Sequence, residues 1–199
     1  TIRLLPYVPL ALIGIDLTSI RDRTQLLAIA HEVGHHVYRQ LTTNYSVEPQ
    51  KKVEKRALAA PAQFPSWLTA WAEEVFADIY SVLVAGPVAG VSIQAMLMGE
   101  LPGVLLQDDA DHPLPALRPE IAVAVLRKLA GEGKHGDGRL AQAADLLQKQ
   151  WQGYLKLRNV GDSFTPAGGG QPVPLAAART QLAAYVGYWV DGLLAPLAR

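Results

Sequence analysis

The string "HEVGHH", residues 31 to 36, constrains this chain more than any other feature, because it holds three of the five histidines. It sits in "LLAIAHEVGHHVYRQL", where Leu26, Ile29, Ala30, Val33 and Val37 recur at three- and four-residue steps. That period predicts a helix with one buried face, spanning about Asp22 to Leu41. Residues four apart share a helix face, so His31 and His35 can aim their imidazoles at a common ion. Glu32 lies about 100° round from His31, where it can reach a water on that ion rather than the ion itself. Gly34 costs a helix interior about 1 kcal/mol relative to alanine, so its presence implies something packed closely against that turn.

His-Glu-x-x-His on a helix reads as two zinc ligands with a glutamate general base. A chance match in a chain of this composition has a probability of roughly half a percent. The alternative is a histidine-rich helix without metal. His36 is a further 100° round and reads as a packing or supporting histidine rather than a ligand.

Zinc sites that perform catalysis use three protein ligands and keep one position open. The helix predicted over 66 to 85, "SWLTAWAEEVFADIYSVLVA", offers Glu74 and Asp78, four apart and therefore on one face. Two carboxylates on one face of an otherwise apolar helix call for a purpose. Glu73 points about 100° away from that face and has no acidic residue four positions on. Glu74 is therefore preferred to Glu73 as a ligand. A pair of solvated glutamates with Asp78 on the surface is the plainer reading.

"HEVGHH" with "EEVFAD" resembles the gluzincin metallopeptidases, the thermolysin-like class. The resemblance implies that His31, His35 and Glu74 bind Zn2+, that Glu32 is the catalytic base, and that Asp78 orients His31 from behind. The same two helices, about 35 residues, are similar to small metallopeptidases of the ImmA/IrrE kind. "DDADHPLPALRP" resembles the His-Pro…Arg segment of HtpX-type peptidases. That likeness implies that His112 approaches the cleft to stabilise an oxyanion and that Arg118 holds the segment by a salt bridge. The competing reading is a surface loop in which His112 has no role.

Composition excludes much else. Lysine plus arginine equals aspartate plus glutamate, 18 each, so no basic face for nucleic acid is present. There is no cysteine, which removes disulfides, thiolate metal sites and cysteine nucleophiles. Asp108, Asp109 and Asp111 lack the glycine and spacing of a calcium loop and read as a solvated acidic turn. His135, in "GEGKHGDGR", reads as a loop histidine. Trp67, Trp71, Trp151 and Trp189 have apolar neighbours at helical spacing and read as core.

Residues 79 to 99 carry no charge, yet Gly86-Pro87 splits them, so two buried helices are expected rather than a membrane span. "YVPLALIGID" is the best strand candidate, with 8 to 15 as an edge for an extended substrate. Residues 42 to 65 read as a solvated connection, and "GDSFTPAGGGQPVP" as a flexible one. Further helices are expected at "PEIAVAVLRKLAG", "GRLAQAADLLQKQWQGYLKL" and "LAAARTQLAAYVGYWVDGLLAPL".

The expected fold class is mainly α with a small β element, a zincin-like metallopeptidase catalytic domain. It is read as one soluble domain, residues 1–199, with no membrane partner. A chain opening on Thr1 reads as a piece of a longer protein, from which a targeting signal could have been removed. The expected activity is zinc-dependent hydrolysis of a protein or peptide substrate. The alternatives are a catalytically weak binding or regulatory module of the same fold and a zinc hydrolase acting on a non-peptide amide.

Overall fold

The computed structural model describes residues 2–4, 11–13, 28–42, 63–132 and 138–194. Within them the protein is mainly helical, with two small antiparallel ladders. Strand β1 (Ile2–Leu4) pairs with β2 (Ala11–Ile13), in register Ile2 with Ile13 and Leu4 with Ala11. Of the strand expected at 7–16, residues 11–13 are strand and the others lie outside the described residues. Its partner lay in residues too few to show alternation.

Helix α1 (Ala28–Thr42) carries the histidine string; the expected start at 22 to 27 lies outside the described residues. The single helix expected over 66 to 85 is two, α2 (Ser66–Ala70) and α3 (Ala72–Ala85), because Trp71 leaves helical geometry at φ −80°, ψ 9°. Its indole N–H donates to Asp108 Oδ1 at 3.1 Å while the ring is wholly buried, so a tertiary bond fixes the break. Ser66 is the first helical residue. Pro65 occupies the cap in extended geometry, and its carbonyl accepts from Leu68 and Thr69 at 3.0 and 3.2 Å.

Gly86, at φ 63°, turns the chain into α4 (Pro87–Leu97), with proline at the first helical position. Two helices joined at Gly-Pro are therefore observed, and among the described residues no helix is long and apolar enough to cross a membrane. A 3-10 turn (Val104–Leu106) interrupts the long loop before α5 (Arg118–Glu132). Then come α6 (Gly138–Leu157), β3 (Ser163–Phe164), β4 (Val173–Pro174) and α7 (Leu175–Leu194). The segment read as flexible is tied by the β3–β4 ladder and by Leu175 N donating to Asp162 O at 2.7 Å.

One apolar cluster joins the helices through Trp71, Phe76, Ile79, Leu117, Trp151 and Trp189. Trp151 Nε1 donates to Ala116 O at 2.9 Å, and buried Gln94 Nε2 donates to Leu147 O at 2.8 Å. These bonds satisfy polar groups that would otherwise be stranded in the core. Glu120, buried in the first turn of α5, meets Arg179 Nε of α7 at 3.0 Å and Gln148 of α6 at 3.2 Å.

Helices α1 and α3 pair in opposite directions: His31 meets Asp78, His35 meets Glu74, and Arg39 meets Glu73. The crossing point is Gly34. A Cβ built there would lie 2.7 Å from Ala77 Cα and 3.1 Å from its carbonyl oxygen. Backbone atoms cannot swing aside as a side chain can, so a methyl group must push the helices apart. Gly34→Ala is expected to destabilise by about 1–3 kcal/mol in urea denaturation, although alanine is the better helix former. A gain of about 1 kcal/mol would mean that the contact is slack.

Candidate metal centre

Glu74 sits between the two histidines. His35 Nε2 lies 3.1 Å from Glu74 Oε1, His31 Nε2 lies 3.4 Å from Oε2, and the two Nε2 atoms are 3.1 Å apart. Ligand atoms of these three residues all fall within 4.8 Å of one another. A tetrahedral ion with bonds of about 2.1 Å places its ligand atoms about 3.4 Å apart, so the spacing suits one ion.

The reverse side of each imidazole explains why Nε2 is the free donor. His31 Nδ1 lies 2.8 Å from Asp78 Oδ1, and His35 Nδ1 donates to Glu73 Oε1 at 3.0 Å. An ionised carboxylate only accepts, so an Nδ1 facing one carries a hydrogen, and each Nε2 can offer a lone pair once it has lost its own proton. Two lone pairs and a carboxylate crowded together repel unless a proton or a metal cation lies among them. Two imidazole nitrogens and a carboxylate are also the donor types that zinc takes, so the residues present could hold that ion.

The titration of His31 carries the same message. Burial disfavours its imidazolium, but the bonds to Asp78 and Glu74 outweigh burial and push its pKa up to about 9. A proton is held where the three acceptors demand positive charge. Burial would raise the Glu74 carboxyl, yet His31, His35 and Arg118 hold it far below the usual carboxylate range. Asp78, fully buried, is likewise held down, chiefly by Arg118 against the cost of burial.

Arg118 supports both carboxylates. Its Nε donates to Asp78 Oδ2 at 2.8 Å, and Nη2 donates to Asp78 Oδ1 at 3.1 Å and Glu74 Oε2 at 3.2 Å. Planar bidentate pairing of this kind fixes orientation as well as charge. The salt bridge expected of Arg118 is thus made to the α3 carboxylates.

A cleft of about 380 Å³ opens over the centre, lined by Glu32, His35, Arg39, Ala70, Glu73, Glu74, Asp111 and His112. His112 Nε2 stands 3.8 Å from Glu74 Oε1, and Nδ1 bonds Asp109 Oδ2 at 2.9 Å. The loop therefore brings His112 to the mouth of the cleft, where its side chain stays exposed. The acidic turn is more ordered than a solvated one. Asp108 accepts from Trp71, Ala110 and Ala167, and Asp109 accepts from the backbone of Asp111 and His112. These bonds hold Ala110 in the left-handed region at φ 72°.

Glu73 is the residue that sequence reasoning passed over. Its Oε1 takes His35 Nδ1 at 3.0 Å and Arg39 Nε at 2.9 Å, so it supports the second histidine as Asp78 supports the first. The available signal was that two ligating histidines each need an acceptor behind them. His36 stands outside the trio; its Nδ1 is buried and has no hydrogen-bond partner among the described residues. His135 lies outside the described residues. No family model, curated protein or solved structure matches the chain.

Glu74→Ala is expected to abolish stoichiometric zinc uptake, measured by mass spectrometry of metal content after dialysis. Glu73→Gln should retain binding, with affinity about 10- to 100-fold weaker by competition with an indicator. Equal affinity in Glu73→Gln and wild type would show that His35 needs no carboxylate behind it.

The raised His31 pKa gives opposite signs for the two forms of the protein. Without metal, His31 contributes stability that is full below its ordinary 6.5 and is lost as pH rises through about 9. With metal, that proton must leave, so zinc affinity should climb about tenfold per pH unit from 6.5 towards 9. Thermal melts with chelator and zinc titrations across that range test both; a flat affinity profile contradicts the coupling.

Proposed function

We propose that the protein is a zinc-dependent hydrolase of peptide bonds, a zincin-like metallopeptidase of the gluzincin pattern. The observation that carries the reading is the convergence of His31, His35 and Glu74 on one point beside a cleft that Glu32 also lines. His31, His35 and Glu74 would hold the ion. Zinc bound there supplies Lewis acidity, polarising a carbonyl oxygen and bringing a water's pKa to about 7.

The remaining work falls to this chain's own groups. Glu32, on the cleft wall, accepts the proton of the attacking water and passes it to the leaving amine. With Nδ1–H turned to Asp109, a protonated His112 presents Nε2–H to the cleft, where it can donate to the oxyanion that forms at the carbonyl. Asp78 and Glu73 keep the two imidazoles in the tautomer that offers Nε2. Arg118 neutralises Asp78 and steadies Glu74, so that the carboxylates do not repel one another across the site.

A catalytically weak module of the same fold need not retain a carboxylate at position 32. Presence of Glu32 on the cleft wall therefore favours the enzyme.

Glu32→Gln should keep one zinc per chain and lose hydrolysis by about 10²- to 10⁴-fold, assayed on a fluorogenic peptide library. His112→Ala should cost kcat less than Glu32→Gln. Full activity in Glu32→Gln, or cleavage that survives removal of zinc, sinks the mechanism.

A further inference from the structure

The cleft has little apolar surface for gripping a side chain. Among the described residues that line it, Ala70 is the one apolar member; the others are four carboxylates, two imidazoles and Arg39. Selection among substrates at this wall must therefore be electrostatic rather than a matter of filling a greasy pocket.

Three of the four carboxylates are already engaged. Glu74 is shared between His31, His35 and Arg118, and Glu73 between His35 and Arg39. Glu32 has a proton to carry. Asp111 differs. It is exposed at the mouth, and its carboxylate makes no hydrogen bond or ion pair among the described residues.

Its neighbours on the loop are occupied elsewhere. Asp108 is tied to Trp71 and two backbone N–H groups, and Asp109 to His112. No lysine or arginine stands between Gly99 and Leu117 to balance these acids. The loop is also held in place, because the Asp109 bonds to the Asp111 and His112 backbone N–H groups fix where Asp111 is presented.

We propose that Asp111 is a specificity-determining residue that favours peptides with a lysine or arginine next to the bond to be cut. This rests on the peptidase reading above and names its substrate class. A cationic side chain entering the cleft meets an unpaired carboxylate at the rim, whereas a glutamate there meets like charge. Because Asp111 is solvated, the preference is modest and is weakened by salt.

The test is peptide binding, separated from turnover. Zinc-loaded Glu32→Gln protein is titrated into three fluorescent peptides that differ only in Lys, Gln or Glu at the variable position, and anisotropy is read at low and high salt. The lysine peptide should bind about threefold to tenfold more tightly than the glutamate peptide at low salt. Adding Asp111→Asn should bring the ratio near one, and Asp111→Lys should invert it. Asp145→Asn, an exposed acid on α6 paired with Arg127, controls for net charge and should leave the ratio alone.

A lysine preference that survives Asp111→Lys overturns the proposal, as does equal binding of all three peptides or no binding at all. Cleavage is scored separately on the protein with Glu32 intact. A preference that follows Asp111 without cleavage upholds the cationic ligand and removes the peptidase. Cleavage with no such preference does the reverse.

Discussion

The crossing of α1 and α3 at Gly34 and Ala77 is the contact on which the rest depends. Glycine lets the two backbones come so close that a single methyl would meet Ala77 Cα at 2.7 Å. Short side chains of histidine, glutamate and aspartate then reach one another across the gap. One turn to one side of the crossing lies His31 with Asp78, and to the other lies His35 with Glu73 and Glu74. Were the helices a residue's width further apart, none of these pairings would hold and the site would dissolve into two solvated faces.

What the crossing creates is a concentration of acceptors, and the structure answers it with charge. Four carboxylates, Glu32, Glu73, Glu74 and Asp78, lie on two neighbouring helices. Arg118 takes the buried pair from below and Arg39 takes Glu73 at the rim. The space left between His31, His35 and Glu74 still calls for a cation, which is why His31 holds its proton up to about 9. Zinc would satisfy the same demand with a higher charge. The loop that follows α4 contributes the other wall. Trp71, by leaving helical geometry to bond Asp108, joins that loop to the start of α3.

Much of this was legible in residues close together in sequence. The spacing of His31, Glu32 and His35, and of Glu74 and Asp78, follows from helical periodicity alone, and Gly34 announced a close neighbour before the neighbour was known. The limits α6 (Gly138–Leu157) and the Gly86-Pro87 joint follow from caps and breakers. Partners set by tertiary distance were not legible. Arg118 lies 40 positions from Asp78, and no local pattern says which carboxylate it will clasp. The role of Glu73 behind His35 was missed because a helical wheel treats one helix in isolation; its side chain meets His35 Nδ1, on the far side of the ring from the His31–Glu74 cluster. Trp71 breaks its helix without glycine or proline, for the sake of one indole bond and burial. The β1 strand is three residues long, too short to carry a pattern.

Zinc K-edge X-ray absorption on the loaded protein addresses the central claim most directly, since it reads the ligands rather than the activity. The account predicts a first shell of nitrogen and oxygen at about 2.0–2.2 Å, with outer-shell scattering from two imidazoles. It further predicts that Glu74→Ala disturbs this shell while Glu73→Gln leaves the count of imidazoles at two. A spectrum with no imidazole scattering, or one unchanged by Glu74→Ala, would place the ion elsewhere and contradict the site described here.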